Sequence, residues 1–75
     1  MKDEIVKALI AHADAHITKH KMNVEIHLKN PIGVAEHSDH LETIEKELEH
    51  IAHYEDMKDV LNKHFGTPQT TLTES

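Results

Sequence analysis

The chain has 75 residues, no cysteine, and a formal charge of -6 when histidine is counted as neutral. This length allows one domain with a small hydrophobic core, and neither a disulfide nor a thiolate metal site can reinforce it. Eight basic residues against fourteen acidic ones argue against a basic surface for nucleic acid or for a charged membrane. No segment approaches the roughly 20 apolar residues of a transmembrane helix, so we expect a cytoplasmic protein that binds neither nucleic acid nor membrane.

A first helix is predicted over residues 2–29. Its apolar residues recur at helical spacing and are Val6, Ile10, Ala13, Ile17, Val24 and Leu28. Polar residues at 20–23 interrupt this pattern, so the continuity of the helix is open. A strand over residues 24–28, which alternate at period two, is the competing interpretation, but it would have no partner strand.

A loop over residues 30–38 and a second helix over residues 39–65 complete the predicted domain. The Asn-Pro step at the start of the loop ends the first helix, because the residue before proline is pushed out of the helical region. Ser38 or Asp39 is the expected N-cap. Residues 67–75 have little to bury and are predicted to form a mobile tail.

The predicted fold class is all-α, an antiparallel two-helix hairpin over residues 1–66. Both helices are roughly 40 Å long at about 1.5 Å per residue, and a short connection makes them antiparallel neighbours. The expected register pairs Leu28 with Leu41, Val24 with Ile44, Ile17 with Ile51 and Val6 with Leu61. Leu48 is placed in the same apolar stripe. One hairpin would leave this stripe half exposed, so we expect hairpins to dimerise into a four-helix bundle or a higher homo-oligomer.

The loop carries a resemblance. It reads Asn-Pro-Ile-Gly from residue 30, Glu-His follows at 36–37, and the amphipathic second helix ends at the aromatic Phe65. Over roughly residues 29–65 this resembles small uncharacterised helical-hairpin proteins of marine phages and ocean metagenomes. The resemblance implies a helical hairpin and a phage or marine-microbe origin, hence the host cytoplasm or a virion, and it implies no activity.

One candidate metal set lies at the loop end of the hairpin. The expected register brings His27 near His40, with His37 and Glu36 close by. Imidazole and carboxylate ligands suit zinc or iron. The interpretation we favour is that these histidines line the loop end and bond backbone carbonyls.

A second candidate set is the Glu-x-x-His spacing of Glu47 and His50, which di-iron carboxylate bundles use. Glu25 would be the extra carboxylate. Helix geometry does not make these three side chains converge, because His50 and Glu25 point well away from the apolar stripes. No residue pattern indicates a nucleophile or a phosphate loop, so we expect no catalytic residue, no required cofactor and no enzyme.

Nine histidines make the chain histidine-rich. His12, His16 and His20 form an i, i+4, i+8 ladder, either a solvated strip or a metal-binding pair. His20 and His27 also fall within the apolar stripe, where a buried imidazole needs a partner.

The sequence therefore predicts a small non-enzymatic structural or interaction protein. Its partner would be a second copy of itself, or another protein that docks on a helical face. The alternative is a helical protein that binds zinc or iron through histidine and glutamate. A third reading is a pH switch, in which the histidines within the stripe become charged and open the interface.

Overall fold

The computed structural model describes residues 2–30 and 37–66, with side chains of the second segment described from residue 39 onward. It contains two helices, α1 (Lys2–Lys29) and α2 (His37–Phe65), which pack against each other. Contacts pair the end of α1 with the start of α2, so the helices are antiparallel. The predicted all-α hairpin is confirmed. Of the predicted loop at 30–38, residues 31–36 lie outside the described residues, as does the predicted tail at 67–75, while residues 37–38 belong to α2.

α1 is one continuous helix, so neither the expected weak point near residues 20–23 nor the alternative strand at 24–28 interrupts it. The polar residues in the middle of α1 have a packing role. His20 and Asn23 both bond Glu47 of α2, so their polarity is satisfied inside the contact between the helices. No strand occurs in the two described segments.

α2 begins at His37, two residues before the predicted start at residue 39. Ser38 and Asp39 therefore lie in its first turn and are not the N-cap residues that the sequence indicated. The carbonyl of Asp39 accepts a hydrogen bond from the Thr43 hydroxyl at 2.9 Å. α2 ends before Gly66, where a Cβ would collide with the carbonyl of Asn62.

The contact between the helices, called the seam from here on, has a thin core. Ala13 is the one buried apolar residue of the described segments, at 1% exposure, and no large side chain there is fully buried. The larger apolar residues of the seam are half-buried, and they are Val6, Ile10, Ile17, Val24, Ile44, Ile51, Tyr54 and Leu61. The hairpin measures 51 × 26 × 15 Å, so it is one helix thick and both broad faces are open.

Many apolar side chains lie outside the seam. Ten large ones in the described segments are 38–68% exposed. They include Leu28, Leu41 and Leu48, at 68%, 47% and 50%, so the placement of these three leucines in the seam was wrong for the single hairpin. Glu47 points into the seam instead, because α1 offers it two hydrogen-bond donors there. Neither described helix combines the length and apolarity that a bilayer crossing requires.

The difference between seam and surface can be tested with a matched pair of truncations on α2. Ile51→Ala removes half-buried methyl groups and should lower the free energy of unfolding by about 1–2 kcal/mol, less than the roughly 2–5 kcal/mol of a fully buried site. Leu48→Ala, from an exposed position, should change it by less than about 0.5 kcal/mol. Urea unfolding followed by far-UV circular dichroism gives both values. An equal loss in the two variants would contradict this packing.

Candidate functional site

The middle of the seam is polar, and it is formed by His20, Asn23 and Glu47, called the polar triad below. His20 is buried at 8% exposure, and its Nδ1 lies 2.5 Å from Oε1 of Glu47. The side-chain amide of Asn23 donates to the same oxygen at 3.1 Å. Because a carboxylate only accepts, His20 carries its proton on Nδ1. Two donors from α1 therefore converge on one acceptor from α2.

The polar triad keeps Glu47 ionised and fixes how the helices align. The hydrogen bond from His20 is the largest cause that lowers the pKa of Glu47 below its ordinary value, followed by the bond from Asn23. A slip of one helix by a turn would break both hydrogen bonds to the Glu47 carboxylate. A buried polar group without its partner costs about 1–3 kcal/mol, so the triad selects one register.

Rings cover one side of this triad and cross the seam. His16 stacks on Tyr54, with centroids 4.4 Å apart and planes at 9°, and His20 stacks on His50 at 4.4 Å and 15°. His12 meets His16 edge-on at 4.5 Å, and His53 meets Tyr54 at 5.0 Å. We call these six residues the ring cluster: His12, His16, His20, His50, His53 and Tyr54.

The ring cluster favours an uncharged His16. Partial burial is the largest cause that lowers the pKa of His16 below its ordinary 6.5, followed by repulsion from protonated His12 and from Lys19. Protonated His20 and His50 act in the same direction. A lowered pKa in the folded chain means that folding favours the neutral ring. The resulting stabilisation is present above pH 6.5 and is lost as the pH falls towards the folded value.

The loop end of the hairpin brings His27 and His40 together, with ring centroids 5.1 Å apart. Nε2 of His40 donates to the backbone carbonyl of His27 at 2.8 Å, and so satisfies one of the carbonyls at the end of α1. Glu36 and the side chain of His37 lie outside the described residues. The metal set of His27, His37, His40 and Glu36 therefore stays a prediction, while His40 has a visible role as a cap.

The packing of the helices separates the residues of the second metal set. Glu47 lies further into the seam than expected and is held by His20 and Asn23, whereas His50 stacks on His20 from the outer side. Glu25 is exposed. Across residues 2–30 and 39–66, no three donors from histidine, aspartate or glutamate converge on one point. Zinc or iron binding by Glu47 and His50 stays a prediction.

The stacking of rings across the seam is the feature that sequence reasoning missed. The i, i+4 spacing revealed the ladder of His12, His16 and His20, but it did not reveal its partners on α2. The expected register could have done so, because pairing Ile17 with Ile51 sets His16 within one turn of Tyr54. The residues within one turn of each predicted pair would therefore have indicated the contact between His16 and Tyr54.

An apolar groove lies beside the ring cluster towards the free ends of the helices. Leu9 of α1 and Met57, Val60 and Leu61 of α2 line it, with Asp56 at its edge, and its volume is about 250 Å³. Leu9, Met57 and Val60 are 45%, 38% and 43% exposed. The groove has few polar atoms to orient a small substrate, so it suits an apolar side chain from another helix.

The comparisons with known proteins assign no relationship. No family model matches the chain, and no curated protein or solved structure is similar enough to count as a match. The resemblance of the loop to marine-phage hairpin proteins stays a prediction. The function is therefore argued from the geometry of this chain.

The contribution of the polar triad can be measured with Glu47→Gln. The variant loses the charged acceptor, and we expect the free energy of unfolding at neutral pH to fall by about 1–2 kcal/mol. Because the pKa of Glu47 is lowered in the folded chain, its stabilisation is present above pH 4.5 and is lost as the pH falls through the folded value. The difference between wild type and variant should therefore shrink in acid.

Urea unfolding at several pH values provides this measurement, with Glu49→Gln as the control at an exposed position of the same helix. A difference between wild type and Glu47→Gln that stays constant through the acid range would show that the carboxylate is not held by the triad.

The environment of His16 can be read from its own titration. By proton NMR, the His16 imidazole should titrate below 6.5 in the wild type and move up towards that value in Tyr54→Leu, which removes the stacked ring. His53→Gln, at the outer edge of the ring cluster, should move it less. An ordinary titration of His16 in the wild type would contradict its partial burial.

Proposed function

We propose that the protein is a self-associating interaction module without catalytic activity, in which two hairpins pair through helical faces into a four-helix bundle. The observation that carries this proposal is the distribution of apolar surface. Among the described residues Ala13 is the buried apolar one, whereas ten large apolar side chains are exposed. A hairpin that buries so little apolar surface and exposes so much is suited to pack against another protein surface.

The balance between apolar burial and backbone entropy favours a second layer of helices. Burying a leucine or isoleucine fully contributes about 1.5–3 kcal/mol, and a half-buried one contributes correspondingly less. Ordering each residue costs roughly 1–2 kcal/mol of backbone entropy. A hairpin one helix thick, with neither disulfide nor thiolate metal site, has little to offset that cost. Packing a second pair of helices on one broad face would bury the apolar residues of that face and add to the core.

A second copy of the chain is the partner we propose. A two-fold dimer uses the same face twice, so a single sequence supplies both sides of the contact. Helices of nearly equal length, 28 and 29 residues, allow two hairpins to align over their full length. A different protein on the same face is the competing arrangement, and the isolated chain distinguishes the two.

Sedimentation equilibrium and thermal unfolding of the purified full chain test the proposal. We expect twice the chain mass of 8.6 kDa at neutral pH and a Tm that rises with protein concentration, because association and folding are linked. A single-chain mass together with a Tm that does not depend on concentration over about a hundredfold range would overturn the proposal.

A further inference from the structure

The two broad faces of the hairpin differ in chemistry. One is formed by two stripes with i, i+3/i+4 spacing, one on each helix, and we call it the histidine face. On α1 the stripe is Ile5, Leu9, His12, His16, Lys19, Asn23 and Ile26. On α2 it is Thr43, Lys46, His50, His53, Met57, Val60 and His64. Leu9 lines one groove with Met57 and Val60, so the stripes share a side of the hairpin.

Neither stripe as defined includes a carboxylate, although Asp39 lies one turn before Thr43 and Asp56 borders the groove of Leu9, Met57 and Val60. The opposite face, called the acidic face, follows the same spacing on the other side of α2 and carries Glu45, Glu55 and Asp59. Asp14 of α1 lies on that side too, where it pairs with Lys58 at 2.6 Å. Leu41 and Leu48 are the large apolar residues among these acids. Carboxylates thus lie along the middle of the acidic face, whereas imidazoles lie along the middle of the histidine face.

We propose that the histidine face is the surface on which a second copy of this chain docks, so that two histidine faces meet about a two-fold axis. This rests on the self-association proposed above and specifies its interface. The ring clusters of both copies would then lie inside the bundle, and the acidic faces would lie outside.

Electrostatics favour this face over the other. Two chains of charge -6 repel, and meeting through the acidic faces would bring their carboxylates together. Burying a carboxylate without a partner is costly, whereas an imidazole near neutral pH is mostly uncharged and can hydrogen-bond. Lys19 and Lys46 can extend their charged ends past the contact while their aliphatic stems cover it.

Apolar surface favours the same face. Ile5, Leu9, Met57 and Val60 lie towards the free ends of the helices and are 52%, 45%, 38% and 43% exposed. A stable interface needs about 800 Å² from each partner. The chain exposes 6000 Å², so one broad face can supply that area. The stacked rings beside the groove add flat surface of the kind found at the centres of protein contacts.

The proposed interface makes the dimer sensitive to acid. Imidazoles gain protons as the pH falls below neutrality, and each proton taken up on the histidine face would add positive charge to both sides of one contact. Lys19, Lys46, His50 and His64 face the same space and increase this repulsion, whereas Glu47 beneath the rings and Asp56 at the edge of the groove offset part of it. Pairing favours the neutral rings, so the dimer is tightest above about pH 6.5 and weakens as the pH falls.

Sedimentation velocity on the full chain tests the face with three lysine variants at exposed positions. Leu9→Lys and Met57→Lys add a charge to the histidine face on different helices. Leu48→Lys, at 50% exposure, adds the same charge to the acidic face. We expect the first two to raise the dimer Kd at least about tenfold, because each places a charge in the apolar part of the contact, and the third to leave it unchanged. If Leu9→Lys and Met57→Lys lose helicity while Leu48→Lys does not, folding and pairing are one equilibrium. That result also supports the histidine face as the contact.

The outcomes separate this inference from the proposal beneath it. A wild-type monomer would overturn the self-association itself. A wild-type dimer that survives both Leu9→Lys and Met57→Lys, or that is weakened by Leu48→Lys alone, would overturn only the choice of face.

A pH series provides the second readout. The wild-type Kd should rise at least about tenfold between about pH 7.5 and pH 5.5, and the double variant His12→Gln, His53→Gln should show a smaller rise. The Kd of His27→Gln, at the loop end of the seam and outside the histidine face, should depend on pH nearly as in the wild type. A dimer whose affinity is the same at both pH values would also overturn the choice of face.

Discussion

The bond between His20 and Glu47 is the constraint on which the rest of this hairpin depends. It joins the two helices at mid-length and places a carboxylate, held also by Asn23, where an apolar side chain would ordinarily lie. Once that contact is made, the register is fixed along both helices. Tyr54 then reaches His16, and His40 reaches the last turn of α1. A buried hydrogen-bonded pair adds little net stability. It nevertheless favours one alignment of the helices, because other alignments leave buried polar groups without partners.

The polar contact between the helices leaves apolar side chains exposed on the surface of the hairpin. With polar residues in the middle of the seam, the leucines and methionines that could have filled it lie on the two broad faces instead. The single hairpin therefore has a defined alignment and a thin core. The polar triad serves alignment within the chain, whereas the pairing of chains proposed above would use the exposed apolar side chains.

The sequence was sufficient for the hairpin because apolar periodicity, the Asn-Pro step and matched helix lengths are local signals. It also placed His27 beside His40, which the structure confirms. It did not show that Glu47 turns inward while Leu48 stays outside, because that choice depends on donors supplied by the other helix. Periodicity alone favours the leucine. The earlier start of α2 and the rings stacked across the seam were missed for the same reason, since each depends on contacts between segments far apart in the chain.

The stack of His16 on Tyr54 has a spectroscopic consequence. Tyr54 is the one tyrosine of the chain, and there is no tryptophan. The near-ultraviolet signal of the protein therefore arises mainly from a ring that lies against the opposite helix at the centre of the seam. Tyrosine fluorescence and near-ultraviolet circular dichroism observe the contact between the helices directly, while the far-ultraviolet signal observes the helices themselves. The unmodified chain thus carries its own optical label at the place where its two halves meet.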